Sequence, residues 1–308
     1  MRGKWLFTKR QGVKLLAIFL VSTLTLTLLS QTVRIFLPTI LQLSAVLSPH
    51  APCTRNLSFS SVPLPVTALA SVQGSGNTWM RHLLQQLSGV YTGSVYNRHG
   101  DPELWAQGYY GEGVANGSVV AVKNHGTPGF RGRGRYKRAI VVIRNPYDAM
   151  FADFNRRATG SHTGVALLRS YALHWNDFCK EYALRWTKFH SLWLNFKGPL
   201  LIINFDDLTH SLEKEVHRIS RFIAHPSLHL DIACALADSR GGAKRKVAPF
   251  DKSEAFSVEQ IEHVNKNIRA VQAILRKKFT EVAAAISVWQ RNATGTEQTW
   301  LKLLKVIS

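Results

Sequence analysis

The chain has 308 residues with 45% hydrophobic and 10% aromatic content, which is enough to bury one full-sized core. Its 39 Lys and Arg against 19 Asp and Glu give a formal charge of +20, which predicts anionic partners: nucleic acid, a phosphorylated cofactor, an acidic glycan or a lipid surface. Three cysteines exclude a disulfide scaffold and a CxxC metal site, and their odd number leaves at most one internal disulfide and one free thiol.

The N terminus is basic and precedes an uncharged run, which is long enough to cross about 30 Å of hydrocarbon. Because a basic flank stays cytoplasmic, this pattern predicts a cytoplasmic tail at 1–14, a transmembrane signal anchor at 15–33 and a luminal remainder. A cleaved signal peptide is the alternative, although no small-x-small cleavage site follows the run. Three sequons, at Asn56, Asn116 and Asn292, agree with a luminal location and predict glycosylation.

The rest of the chain divides by composition into a stem, a domain and a tail. Residues 34–65 are rich in Ser, Thr, Leu and Pro without periodicity, which is typical of a stem. Residues 66–290 alternate short β-rich runs with amphipathic helices, the pattern of a parallel sheet covered on both faces. We therefore predict an α/β luminal domain, a P-loop-like parallel sheet of four or five strands flanked by helices, followed by a C-terminal tail at 291–308.

Hydrophobic periodicity and capping signals locate the main elements of this domain. The predicted strands lie at 66–72, 119–123, 139–143 and 200–204. The predicted helices lie at 77–87, from 146, at 167–196, around an apolar stripe from 212 to 223, and after Ser257, where Gln260 completes a capping box. The aromatic residues between 171 and 193 fall at helical spacing, which indicates core positions.

The first candidate site is a glycine turn that leaves a strand and opens a helix. It comprises Gly74, Ser75, Gly76, Asn77, Thr78 and Trp79. Backbone N–H groups and the helix N terminus converge at such a turn, which is an arrangement that binds phosphate. Asn77 stands where a Walker A loop has lysine, and this argues against a nucleotide triphosphatase. An ordinary glycine turn is the alternative.

The second candidate site is the pair Lys123 and His125, which ends a β-rich run. Two residues apart in an extended backbone, the two side chains leave the same side and face the ligand crevice of an open α/β sheet. A histidine accepts a proton from a hydroxyl near neutral pH, and a lysine stabilises charge developing on a leaving phosphate oxygen. A solvated lysine and a loop histidine are the alternative.

The third candidate site is Arg144, at the end of the apolar run 139–143 and before Pro146 in a first helical turn. Arginine at such a strand end is a bidentate phosphate ligand. The alternative is an ion pair between Arg144 and a nearby carboxylate such as Asp148. Asp206 and Asp207 admit a metal or a second base, but a structural strand-to-helix turn is the favoured interpretation.

Together these elements resemble the PAPS-dependent sulfotransferases, which use 3'-phosphoadenosine 5'-phosphosulfate. Residues 74–79 look like their 5'-phosphosulfate-binding loop, residues 140–148 like their 3'-phosphate-binding strand, loop and helix, and Lys123-Asn124-His125 like their Lys-Thr-His segment. More closely, the chain is similar to the sulfotransferase domain of the WSC-domain-containing sialate O-sulfotransferases. That similarity spans roughly residues 66–280 and includes Arg81, the segments 143–147 and 154–156, Lys244 to Lys246, and Pro249-Phe250.

The resemblance implies PAPS as sulfuryl donor and no metal. It implies catalytic roles for His125 and Lys123 and cofactor contacts from Arg144 and the glycine turn, with Asn155 or Arg156 as a further 3'-phosphate contact. A lid over that phosphate would come from the basic stretch Lys244, Arg245 and Lys246, where a solvated loop is the alternative. Two positions depart from the family: Gly74 replaces a lysine of many members, and Ala152 a serine of the cytosolic enzymes.

The functional expectation is a Golgi membrane sulfotransferase of type II topology that acts on a hydroxyl of a glycan, with sialic acid as the acceptor that the resemblance implies. Its partners are a glycoprotein or glycolipid acceptor and the membrane, through one helix, and not nucleic acid; a dimer stays open. A Golgi glycosyltransferase is disfavoured because the chain has no Asp-x-Asp. The remaining alternative is a membrane-tethered binding protein for anionic glycans with a degenerate active site.

Overall fold

The computed structural model describes residues 22, 25–32, 53, 55–96, 102–129, 136–161, 164–239 and 252–292. The chain divides into two compact units, Met1–Ala51 and Pro52–Ser308. In the first unit, residues 25–32 are helical (α1) with exposed side chains. Most of the predicted tail and anchor lies outside the described residues, and no helix within the described ranges has both the length and the apolar composition needed to cross a membrane.

The second unit is built on a five-stranded, fully parallel sheet. Its strands are β1 (Thr67–Ser71), β2 (Gly93–Ser94), β3 (Val122–Asn124), β4 (Arg138–Ile143) and β5 (Leu200–Asn204), in the order β2-β3-β1-β4-β5. This confirms the predicted α/β fold with a parallel sheet of four or five strands. Because β3 and β4 pair with opposite sides of β1, the loops that follow these three strands meet at one edge.

The sheet is buried on both faces, since its side chains alternate between two apolar layers. In β4, Val141 packs into one layer with the helices Pro146–Thr159, Leu168–Leu194 and Val258–Leu275. Ile140 and Val142 pack into the other layer, with the helices Asn77–Ser88 and Leu212–Ile223. The strands therefore read as continuous apolar runs rather than as alternating polar and apolar residues. This explains why 139–143 and 200–204 predict strands at the correct positions.

Nine helices follow α1 in the described part of the second unit. They are α2 (Asn77–Ser88), α3 (Pro102–Ala106), α4 (Pro146–Thr159), α5 (Leu168–Leu194), α6 (Phe205–His210), α7 (Leu212–Ile223), α8 (Ile232–Ala237), α9 (Val258–Leu275) and α10 (Thr280–Ala285). The capping box at Ser257 is confirmed, because the Ser257 hydroxyl and the Gln260 side chain each accept from the other residue's backbone N–H. This capping box opens α9, and α10 follows it.

The compact unit extends further toward the N terminus than the predicted boundary at 66. Ser58 forms a parallel bridge with Val90, so part of the segment predicted as stem packs on the domain. Cys53 is disulfide-bonded to Cys234 in α8, and Cys179 is a buried free thiol. The expectation of at most one internal disulfide with one thiol left over is thus confirmed. The disulfide fastens this segment to α8, 181 residues further along the chain.

Candidate active site at the carboxyl edge of the sheet

The glycine turn after β1 has a backbone that only glycine fits. Gly74 and Gly76 have φ angles of 87° and 83°, in the left-handed region. A Cβ on Gly74 would lie 2.2 Å from the Ala149 carbonyl oxygen of α4, and one on Gly76 would lie 2.4 Å from the Phe205 ring. The lysine that many sulfotransferases carry at the first position is therefore excluded by the close approach of α4, so Gly74 is a requirement of this packing.

The turn presents the N terminus of α2 without a competing anion. The N-cap residue, Gly76, provides no side-chain hydrogen bond, and the first turn of α2 contains no acidic residue. Backbone N–H groups at an uncapped helix N terminus bind anions, and a helix of 12 residues has a substantial dipole. The N terminus of α2 therefore has the free backbone N–H groups that the predicted phosphate site requires.

The other residues of the turn lie within the protein. Ser75 and Asn77 are buried, and Asn77 donates from its side chain to the Ser71 hydroxyl at 3.1 Å. The carbonyl of Thr78 accepts from the Tyr109 hydroxyl at 3.1 Å, and the Trp79 indole donates to the Ser239 carbonyl at 2.6 Å. These contacts fix the turn and give the Asn77 and Trp79 side chains structural roles.

Arg144 leaves β4 as a half-buried cation beside the glycine turn. Its Nη1 donates to the Gly74 carbonyl at 2.8 Å, and its guanidinium lies 4.2 Å from the Phe205 ring centroid. Burial lowers the pKa of Arg144, and its Nε is buried without a hydrogen-bond partner among the described residues. Asp148, the alternative partner, instead pairs with Lys252 at 3.6 Å. Within the described residues Arg144 has no ion-pair partner, so an incoming anion would complete its environment.

His125 lies on the other side of the same turn, just after β3. Its Nδ1 is 2.8 Å from the Ser71 carbonyl oxygen, and because a carbonyl only accepts, Nδ1 carries the proton and Nε2 the lone pair. Burial, followed by the charge of Lys123, lowers the pKa of His125 from 6.5 to about 3. The imidazole is therefore neutral at physiological pH, with an unprotonated Nε2, and half-buried Lys123 is within electrostatic reach of it.

One long helix holds all three strand-end loops. The Tyr182 hydroxyl donates to the Gln73 carbonyl after β1, the Trp186 indole to the Arg144 carbonyl after β4, and the Trp193 indole to the Gly126 carbonyl after β3, at 2.6, 3.2 and 2.8 Å. All three side chains belong to α5 and are buried, which confirms the prediction of core aromatics. Their polar atoms give this core a second task, which is to set the loops at fixed positions.

Asn155 does not join this group. Asn155 is buried; its side chain donates to the Phe151 carbonyl at 2.8 Å and accepts from the Ala166 backbone N–H at 2.6 Å. Both ends of the amide are thus engaged in holding the chain after α4, which gives Asn155 a structural role. Lys244, Arg245 and Lys246, predicted to form a lid, lie outside the described residues.

The structure adds two residues that no local pattern indicates. Tyr96, just after β2, accepts from the His125 backbone N–H at 2.8 Å and stacks on the imidazole at 5.9 Å between ring centroids. Phe205, the first residue of α6, packs closely against Gly76, contacts the Trp79 ring edge to face and lies beneath the Arg144 guanidinium. Both belong to segments distant in sequence from the motifs, so their place beside the site becomes known only from the order of the strands.

Sequence and structure comparisons relate the chain to known proteins as follows. No protein-family model matches it. It is 36% identical over 235 residues to a WSCD family member of Drosophila pseudoobscura pseudoobscura, which covers 74% of this chain and 71% of the relative. WSCD family members of Aedes aegypti and Drosophila melanogaster are 38% and 36% identical, covering 60% and 63% of this chain and 59% and 61% of the relatives.

Structural comparison gives matches that share little sequence with the chain. A mouse sulfotransferase complexed with PAP (3'-phosphoadenosine 5'-phosphate) has a TM-score of 0.48 and 14% identity over 75% of this chain and 90% of its own. A sulfotransferase from Alicyclobacillus acidocaldarius has a TM-score of 0.41 and 13% identity over 75% and 100%, respectively. The relationship of the chain to other proteins therefore rests on the sequence relatives.

Proposed function

The chain belongs to the WSCD family, and from that premise we propose that it is a sulfotransferase that moves a sulfuryl group from PAPS to a hydroxyl of a glycan. The observation that carries the proposal is the setting of Arg144. A half-buried arginine without an ion-pair partner in the described chain touches the carbonyl of a glycine turn, and that turn opens an uncapped helix. Two phosphate-binding elements in direct contact suit a donor with two phosphate groups.

In this proposal PAPS is the donor: the acceptor oxygen bonds to its sulfur, the bond between sulfur and the 5'-phosphate oxygen breaks, and PAP leaves. His125 accepts the proton of the acceptor hydroxyl at Nε2, while the Ser71 carbonyl holds the imidazole by Nδ1. Lys123 stabilises the negative charge that develops on the leaving phosphate oxygen. The N terminus of α2 and Arg144 hold the phosphates, so catalysis consists of positioning, proton removal and charge neutralisation.

The acceptor that we propose is a sialylated glycan, as the sequence resemblance implies. The test is transfer of labelled sulfate from PAPS by the full chain to a panel of sialylated glycans and their desialylated counterparts. We expect label in the sialylated members. Binding of these glycans without any labelled product would instead support the tethered binding protein, and label confined to desialylated members would reject sialic acid as the acceptor.

We further propose that the domain lies in the Golgi lumen behind a single N-terminal anchor. Support comes from the basic flank and from three sequons whose asparagines are all exposed. At Asn116, the side-chain oxygen accepts from the Ser118 backbone N–H and hydroxyl at 2.9 and 2.7 Å, so both sequon residues lie in an accessible turn.

We expect N-glycosidase treatment to reduce the mass of the protein made in animal cells, because exposed luminal sequons are glycosylated. Changing the three asparagines to glutamine one at a time identifies the occupied sites. In sealed vesicles, an N-terminal tag should be open to protease and the domain protected. An unchanged mass together with a protected tag would contradict the proposed topology.

A further inference from the structure

Four charged side chains on α4 and α5 form what we call the arginine cluster, namely Asp153, Arg156, Arg157 and Arg185. The Asp153 carboxylate is fully buried and accepts from Arg156 at 2.7 Å, Arg157 at 3.0 Å and Arg185 at 2.9 Å. The three arginine side chains stay 35%, 44% and 34% exposed. The cluster is thus a buried anion with a half-exposed rim of cations.

The cluster carries more positive charge than its own carboxylate needs. Three guanidinium groups against one carboxylate leave two positive charges, whereas a single well-placed arginine would pair the buried carboxylate of Asp153. Each arginine contacts Asp153 through one nitrogen, and the Nε of Arg185 is buried without a partner among the described residues. The remaining N–H groups, in planar forks, match the geometry of a carboxylate.

The cluster lies close both to the glycine turn and to His125. The Asp153 backbone nitrogen lies 3.0 Å from where a Cβ of Gly74 would be, so the cluster borders the glycine turn. The charge of Arg156 acts on His125, after β3, whereas Arg144 rests on Phe205, after β5. The cluster is therefore within electrostatic reach of the histidine that serves the acceptor in the proposed reaction.

We propose that the arginine cluster is the specificity site for a carboxylate on the acceptor glycan, binding that group so that a neighbouring hydroxyl faces His125. This assignment rests on the proposed sulfuryl transfer and names the residues that would select an acidic acceptor. A sugar without the carboxylate would leave the cationic rim without an anionic partner, and such a loss discriminates between acceptors.

The test compares binding of a sialylated trisaccharide with binding of its carboxyl methyl ester by calorimetry, on the full chain with PAP present. Arg156→Gln should weaken binding of the acid about 10- to 100-fold, because a charge-assisted hydrogen bond is lost, and change binding of the ester less than about threefold. Arg185→Gln provides a second variant, since Asp153 keeps two arginines in either case. Arg169→Gln, an exposed arginine on α5 like Arg185, should change neither.

Equal affinity of the wild-type protein for acid and ester would overturn the proposal. So would an Arg156→Gln protein that loses affinity for PAP and keeps its affinity for the acid, because the cluster would then bind a donor phosphate. Binding and transfer separate this inference from the proposed function. Acid-selective binding without sulfate transfer would uphold the cluster and reject the sulfotransferase, whereas equal transfer to acid and ester would do the reverse.

Discussion

Replacing His125 with alanine lowers the rate of sulfuryl transfer about 10²- to 10⁴-fold and leaves the dissociation constant of PAP nearly unchanged, if His125 is the general base. The reason is that its unprotonated Nε2 serves the acceptor hydroxyl, whereas the phosphate contacts come from α2 and Arg144. Initial rates with saturating PAPS, alongside calorimetry with PAP, measure the two effects separately.

The pH profile provides a second readout for His125. Since burial lowers its pKa to about 3, the neutral form persists far below pH 6.5, where an ordinary histidine is half protonated. Values of kcat/KM for the acceptor should therefore stay level as the pH falls through 6.5 and decline only at more acidic pH. His217→Ala, an exposed histidine on α7, serves as the control. Comparable activity in His125→Ala and wild type would remove His125 from the mechanism.

The strands that could be predicted from the sequence are those that form continuous apolar runs. Residues 139–143 and 200–203 are uniformly apolar because both faces of the sheet are covered. The strand predicted at 119–123 starts later, at Val122, because the Val120 backbone N–H bonds the Tyr91 carbonyl instead of β1. Strand β2 comprises only Gly93 and Ser94. A Cβ on Gly93 would lie 2.1 Å from the Val114 carbonyl oxygen, so this position requires glycine. Two residues of this kind give no sequence pattern that predicts a strand.

The sequence predicts which residues lie together where their position at the end of a strand decides it. Gly74, His125 and Arg144 meet around one turn because parallel strands bring their carboxyl ends to one edge. Asn155 shows the limit of this reasoning, since a motif does not reveal that both ends of an amide are engaged inside the protein. Tyr96 comes from a separate segment, and no spacing in the sequence connects it to His125.

We propose that the carboxyl edge of the sheet binds the donor through Arg144. Arg144 makes no ion pair with any described residue, so its charge is available to a phosphate, and its hydrogen bond to the Gly74 carbonyl keeps it beside the turn. Arg138 at the opposite end of the same strand offers a matched control. It donates to the carbonyls of Phe222 and Ile223 at the end of α7, away from the carboxyl edge.

The most direct measurement is the dissociation constant of PAP for the wild-type protein, Arg144→Ala and Arg138→Ala, with adenosine 5'-phosphate as a ligand that lacks the 3'-phosphate. Arg144→Ala should weaken PAP binding by about 2 to 4 kcal/mol, roughly 30- to 1,000-fold, because a half-buried, charge-assisted contact to phosphate is lost. Binding of adenosine 5'-phosphate should change much less, and Arg138→Ala should retain the affinity for PAP. An unchanged PAP constant in Arg144→Ala, or no PAP binding by the wild-type protein, would contradict the assignment of this edge as the donor site.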